Sequence, residues 1–172
     1  MTSSVEYTIN LKSADNGNVG DHATAAGTNA SAYSNASISS VFNAIAALGT
    51  GYGAKIELVD FVQLGESGVA FTNTVQFYDL WLSINGIYST FASSANSNDI
   101  WLATLHFDYS QRGDTYKEWI VAGSNTIYIY SVSSVAGITV TFKNGLSKAT
   151  LTTTDTTGDY SLTLKVTPFK FS

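Results

Sequence analysis

Apolar and polar residues alternate along most of this chain, and the two ends show it most plainly. Val5, Tyr7, Ile9 and Leu11 are interleaved with Glu6, Thr8, Asn10 and Lys12. That period of two predicts a strand with one buried face. Near the other end Ile138, Val140 and Phe142 alternate with Thr139, Thr141 and Lys143, and Asn144-Gly145 follows. Asn-Gly tolerates the positive φ angles of a type I′ turn, so a tight hairpin into residues 148–152 is expected. Asp155 to Asp159 predicts a second reversal, after which Tyr160, Leu162, Leu164 and Val166 alternate with Ser161, Thr163, Lys165 and Thr167. Pro168, the only proline, is expected to close that strand. Together these features predict an antiparallel meander over Ile138 to Phe171.

Between the ends the period changes once. Ile38, Val41, Phe42, Ile45 and Leu48 fall at helical spacing, with Ser37 placed as N-cap and Gly49 as the residue after the helix. Lys55 to Leu64 then reads as a strand with apolar residues on both faces: Ile56, Leu58, Val62 and Leu64 on one, Val59 and Phe61 on the other. Val75 to Ile84 does the same, its even face carrying Tyr78, Leu80, Leu82 and Ile84 and its odd face Val75, Phe77 and Trp81. A strand of an isolated sandwich shows one wet face. The second face is therefore expected to meet the helix or another subunit. Asn85-Gly86 predicts another hairpin, into Ile87 to Phe91, and Ile100 to Tyr109 reads as Trp101, Ala103, Leu105 and Phe107 against Thr104, His106 and Asp108. Short strands follow at Tyr116 to Ala122 and Ile127 to Val132. The sum is one all-β domain over residues 1–172, a single jelly-roll or β-sandwich barrel of about 8–10 antiparallel strands with one short helix.

Composition sharpens this picture. Charged residues are only 12% of the chain, against roughly 25% in an average soluble domain. Such a surface repels its own kind weakly, which favours a molecule covered by copies of itself or by partners. The net charge of −5, with eight scattered basic residues, argues against gripping nucleic acid. Cysteine is absent, which removes disulfides and thiolate chemistry. Met1 to Glu6 lacks the basic and apolar regions of a signal peptide, so synthesis and initial residence in a cytoplasm are expected. Ser13 to Asn35 is a long polar segment, expected to reach over a neighbouring molecule.

Candidate chemistry is sparse. His22 and His106 form no metal-ligand spacing, and Asp15 to Asp21 departs from the calcium-loop pattern at Gly17 and Val19. Arg112-Gly113-Asp114 and the acceptor-like Asn29-Ala30-Ser31 and Asn35-Ala36-Ser37 read as chance matches. A glycosidase would need two carboxylates across one cleft, for which Glu57, Glu118, Asp60 and Asp79 are the candidates. Structural carboxylates on strands explain them more simply, and no catalytic residue, cofactor or metal site is expected. A sugar-binding module would stack its ligand on tryptophan, and Trp119, beside Lys117 and Glu118, is the best placed; strand parity puts Trp81 and Trp101 on strongly apolar faces.

The strings Phe77-Tyr78-Asp79-Leu80-Trp81-Leu82 and Ile138-Thr139-Val140-Thr141-Phe142, set in this plan of strands, resemble the small major capsid protein of tailless icosahedral phages with an internal membrane, of the sphaerolipovirus type. The resemblance is one of plan and texture over the whole chain. It implies an upright jelly roll in a virion, contacts with copies of itself, a second and larger coat protein as partner, a lipid layer beneath, and no catalysis. On that reading Val75, Phe77 and Trp81 are expected subunit contacts. The alternative is a carbohydrate-binding β-sandwich, lectin-like or receptor-binding, using Trp119.

Overall fold

The computed structural model describes residues 5–12, 30–33, 36–64, 77–84, 99–106, 116–118, 120–135, 137–144 and 160–172. Ten strands and one α-helix lie among them. The elements run β1 (Tyr7–Lys12), β2 (Ala30–Tyr33), α1 (Ala36–Ala46), β3 (Tyr52–Leu64), β4 (Phe77–Ile84), β5 (Asp99–His106), β6 (Tyr116–Glu118), β7 (Ile120–Ser124), β8 (Ile127–Ile129), a 3-10 turn (Val132–Ser134), β9 (Ile138–Asn144) and β10 (Tyr160–Lys170).

Two five-stranded sheets result. One runs β1-β10-β3-β6, with β8 also paired to β3, and the other runs β2-β9-β4-β5-β7. All their pairings are antiparallel. The late strands β9 and β10 return to lie between early ones, β9 beside β2 and β4, β10 beside β1 and β3. This is the strand order of a jelly roll, an all-β sandwich built from two interlocked Greek keys.

The inward faces supply one core. Ile9 and Leu11 of β1, Ile56 and Phe61 of β3, and Leu162, Leu164 and Val166 of β10 come from the first sheet; Leu80, Leu82, Ile84, Leu105 and Val140 come from the second. The helix adds Ile38, Phe42 and Ile45, all buried, and packs against β3 and the 3-10 turn. It begins at Ala36, so Ser37 is its second residue and not its cap. Gly49 follows as expected, with φ +125° and its N–H donating to the Ala46 carbonyl at 3.1 Å. Leu48 lies beyond the last helical turn and is half exposed, because the 3.6-residue period has already ended at Ala46.

Two bulges change the expected parities, and the first explains why Lys55 to Leu64 looked apolar on both faces. Along β3 the pairing with β10 goes from Leu58↔Leu164 to Asp60↔Thr163, so Val59 is an extra residue. A bulge of this kind shifts side-chain parity by one. Inward positions are therefore even before it, at Ala54 and Ile56, and odd after it, at Phe61, while Val59 is 58% exposed. On β5 the pairing with β4 goes from Trp101↔Trp81 to Ala103↔Leu80, leaving Leu102 extra. Ile100, Leu102, Ala103 and Leu105 all end buried. Trp101 accordingly shares the outward face with Trp81, and not the apolar face with Ala103 and Leu105. Asn125 holds the bulge: its N–H donates to the Leu102 carbonyl at 2.7 Å and its Nδ2 to the Trp101 carbonyl at 3.2 Å.

Other sequence expectations fare differently. β9 and β10 belong to opposite sheets, so Ile138 to Phe171 is not a single meander; residues 145–159 lie outside those described. β4 has β5 on one edge and β9 on the other, which leaves no edge for a hairpin partner at Ile87 to Phe91, residues also outside those described. Pro168 does not end its strand. It pairs with Ala54 beyond the last β1 contact, Tyr7↔Val166, and so lies at an open edge where a ladder tolerates a missing N–H.

Phe42→Ala should cost about 3–5 kcal/mol in a urea titration, the usual toll of an aromatic core deletion. Val59→Ser should stay within about 0.5 kcal/mol of the parent, as an exposed site does. Equal losses at Val59 and Phe61 would contradict the bulge.

Candidate interaction surface

The outward face of the β2-β9-β4-β5-β7 sheet carries one of the expected contact residues. Trp81 stands there, opposite Trp101 on β5 and Thr141 on β9. The Trp101 ring reaches across Gly123 of β7, passing 3.9 Å from where a Cβ would stand. One row along, Thr104 Oγ1 donates to Asp79 Oδ1 at 2.6 Å. Asp79 and Thr141 are 1% and 8% exposed although they face away from the core. The centre of this face is therefore covered within the single chain, and both tryptophans are partly buried. Phe77 opens β4 opposite His106. Val75 and Trp119 lie outside the described residues, as do His22, Asp15 to Asp21 and Arg112 to Asp114.

The four carboxylates singled out for a glycosidase do not all share one sheet. Glu57, Asp60 and Glu118 belong to one sheet and Asp79 to the other. Glu57 is bound to lysines and Asp79 to Thr104. Among the described residues no group of three or more His, Cys, Asp or Glu side chains could hold a metal ion.

Among the described residues, the largest cluster of exposed aromatic side chains lies on the other sheet, and it comes from residues the alternation had not singled out. In β8 and just after it, Ile127 and Ile129 face the core while Tyr128 and Tyr130 face outward, 50% and 61% exposed. At the end of β10, Phe169 pairs with Gly53 of β3. The Phe171 N–H donates to the Gly51 carbonyl at 2.9 Å, which carries the ladder past Lys170 and fixes Phe171, 42% exposed, beside Phe169. β3 lies between β8 and β10, so these two distant stretches meet across it. The Phe169 centroid is 5.3 Å from Tyr128 and 5.4 Å from Tyr130, with interplanar angles of 87° and 84°. Tyr130 meets Phe171 edge to face at 5.2 Å, and Phe169 meets Phe171 at 5.8 Å. Perpendicular contacts of this kind suit the ring quadrupoles and hold the rings in place.

Glycine is required at position 53 for this to happen. A Cβ there would lie 2.7 Å from Phe169 Cε1 and 2.9 Å from Cζ, and would press on the Ile129 carbonyl oxygen. The bare backbone is the seat on which the Phe169 ring lies.

A charged row borders the rings on the same face. Lys55, opposite Tyr128, places Nζ 2.9 Å from Glu57 Oε1, while Lys165 Nζ lies 3.2 Å from Glu57 Oε2. The hydrogen bond from Lys55 is the main reason the Glu57 carboxyl sits below its usual range, with Lys165 adding to it and burial opposing. The same bond holds the Lys55 ammonium above its ordinary value, with smaller help from the fields of Tyr128 and Glu6. Ser161 Oγ donates to Asn10 Oδ1 farther along this face, at 3.1 Å.

No protein-family model, no curated protein and no solved structure matches this chain.

Gly53→Ala should destabilise the fold by about 1–3 kcal/mol, the cost of forcing atoms into a filled site, with an altered near-ultraviolet tyrosine signal; an unchanged midpoint and spectrum would contradict the seat. Because the folded pKa of Glu57 is lowered, its contribution is present above the unfolded carboxylate value and lost as pH falls through the folded one. Glu57→Gln should therefore lower the urea midpoint near neutrality and converge with the parent in acid below the usual carboxylate range. Parallel curves at both ends would contradict the ion pairs.

Proposed function

We propose that this chain is a structural virion protein, a jelly-roll subunit that builds a shell with copies of itself and with a second, larger coat protein, above a lipid layer. The observation that carries the reading is large apolar side chains exposed in several directions on a chain with few charges. Val59 stands out at the bulge of β3, Val121 on the edge strand β7, and Leu48 beyond the helix, each 40% exposed or more. Single exposed apolar residues are ordinary. Their spread over separate sides, with only 12% charged residues, suits a molecule that meets neighbours on more than one flank. The jelly roll is a fold that coat proteins share with lectins and other proteins, so it is compatible with the reading and does not select it.

The partly covered centre around Trp81 narrows where such contacts form. Asp79 and Thr141 are already buried by the chain, so edges and bulges are better placed to touch a neighbour than the middle of that face. Purified protein should sediment as concentration-dependent species larger than the monomer. Val121→Asp and Phe77→Ser should shift that equilibrium toward monomer, with Val121→Asp leaving the thermal midpoint within a few degrees. A strict monomer at the highest attainable concentration, indifferent to both substitutions, would overturn the proposal.

A further inference from the structure

We infer that the strip formed by Tyr128, Tyr130, Phe169 and Phe171, with Lys55 and Glu57 at its border, is a binding site for a neutral saccharide. The inference is independent of the shell reading, since it uses none of Leu48, Val59, Phe77 and Val121 and requires no self-association.

Three features select this class of ligand. Size is the first. Three rings about half exposed, each with about 200 Å² to offer, present roughly 300 Å² of apolar surface. A stable protein interface needs about 800 Å² from each partner. The strip alone falls well short of that and matches one or two sugar rings.

Charge is the second. Lys55 and Lys165 are bound to Glu57, and Glu6 adds its field at Lys55, so both signs stand together beside the rings. An anionic lipid or an acidic peptide would call for an excess of cations. A ligand rich in hydroxyls uses donors and acceptors equally: the Lys55 ammonium can donate and Glu57 Oε1 can accept, at 33% and 27% side-chain exposure, while Glu57 Oε2 is buried on the Lys165 side.

Preorganisation is the third. Edge-to-face contacts and the Gly53 seat fix the rings before any ligand arrives, which reduces the ordering cost of binding. The C–H bonds on one face of a pyranose carry partial positive charge, and the face of an aromatic ring is negative. Tyr130, the most exposed of the four, is the platform on which a sugar ring would stack.

The test is isothermal titration of the intact chain with cellohexaose, xylohexaose, chitohexaose and mannohexaose, followed by tyrosine fluorescence. At least one should bind, Tyr130→Ala should weaken it tenfold or more, Tyr130→Phe should retain most of the affinity, and Glu57→Gln should weaken it severalfold. Tyr130 is a surface side chain, so its loss should leave the fold intact, which circular dichroism checks. The inference is overturned if none of the four sugars binds, or if binding is indifferent to Tyr130→Ala. It is overturned equally if Tyr130→Ala abolishes self-association or adhesion to anionic vesicles while leaving sugar binding untouched. Monomeric behaviour of the parent would count against the shell and leave this result unaffected.

Discussion

The pairing of β3 with β10 is the interaction on which the remaining architecture depends. It runs from Tyr52↔Lys170 to Gln63↔Tyr160, by far the longest ladder among the described residues. β1 attaches to one side of it and β6 and β8 to the other, so the whole first sheet is arranged on this one pair of strands. The Val59 bulge sits in the same ladder. Without that extra residue, the parity that buries Ala54 and Ile56 would turn Phe61 out to solvent. The core and the outward aromatic strip are thus two faces of one register. Leu164 and Val166 face in, and Lys165 and Phe169 stand on the other side.

That arrangement also decides what the surface can do. Lys165 meets Glu57 because their residues are paired across the ladder, and Phe169 reaches Gly53 for the same reason. β8, on the far edge of β3, then brings Tyr128 beside Lys55. Most of this contiguous set of rings and charges follows from strand register, with Tyr130 and Phe171 each one residue beyond the end of its strand. Sites carried on rigid strands hold their geometry better than sites on loops.

The sequence disclosed the elements better than their neighbours. Alternation located β1, β9 and β10, and helical spacing found α1 with Gly49 at its end. The bulges were not legible, because one inserted residue leaves two short alternating runs that read as a strand apolar on both sides. The inference of a surplus apolar face in Lys55 to Leu64 came from that reading, and Val59 removes much of it. Trp101 was misplaced for the same reason, by the extra Leu102. Pairing was less legible still. Asn144-Gly145 and Asn85-Gly86 are strong local turn signals, yet β9 lies between β2 and β4, and β4 between β9 and β5, so neither strand has an edge left for a local hairpin partner. The aromatic strip had a local trace in Ile127-Tyr128-Ile129-Tyr130, where the polar side of the alternation is tyrosine. Joining it to Phe169 and Phe171 required knowing that β3 lies between them.

The return of β9 and β10 to central positions has a consequence for synthesis. On the ribosome β1 to β8 emerge first, and neither sheet can close until residues 138–170 arrive to fill the gaps beside β1 and β3 and beside β2 and β4. Until then several apolar strands stand with unpaired backbone edges, the condition that most invites one nascent chain to zip onto another. A polypeptide wound in this order therefore gains from slow, dilute production or a chaperone's shelter.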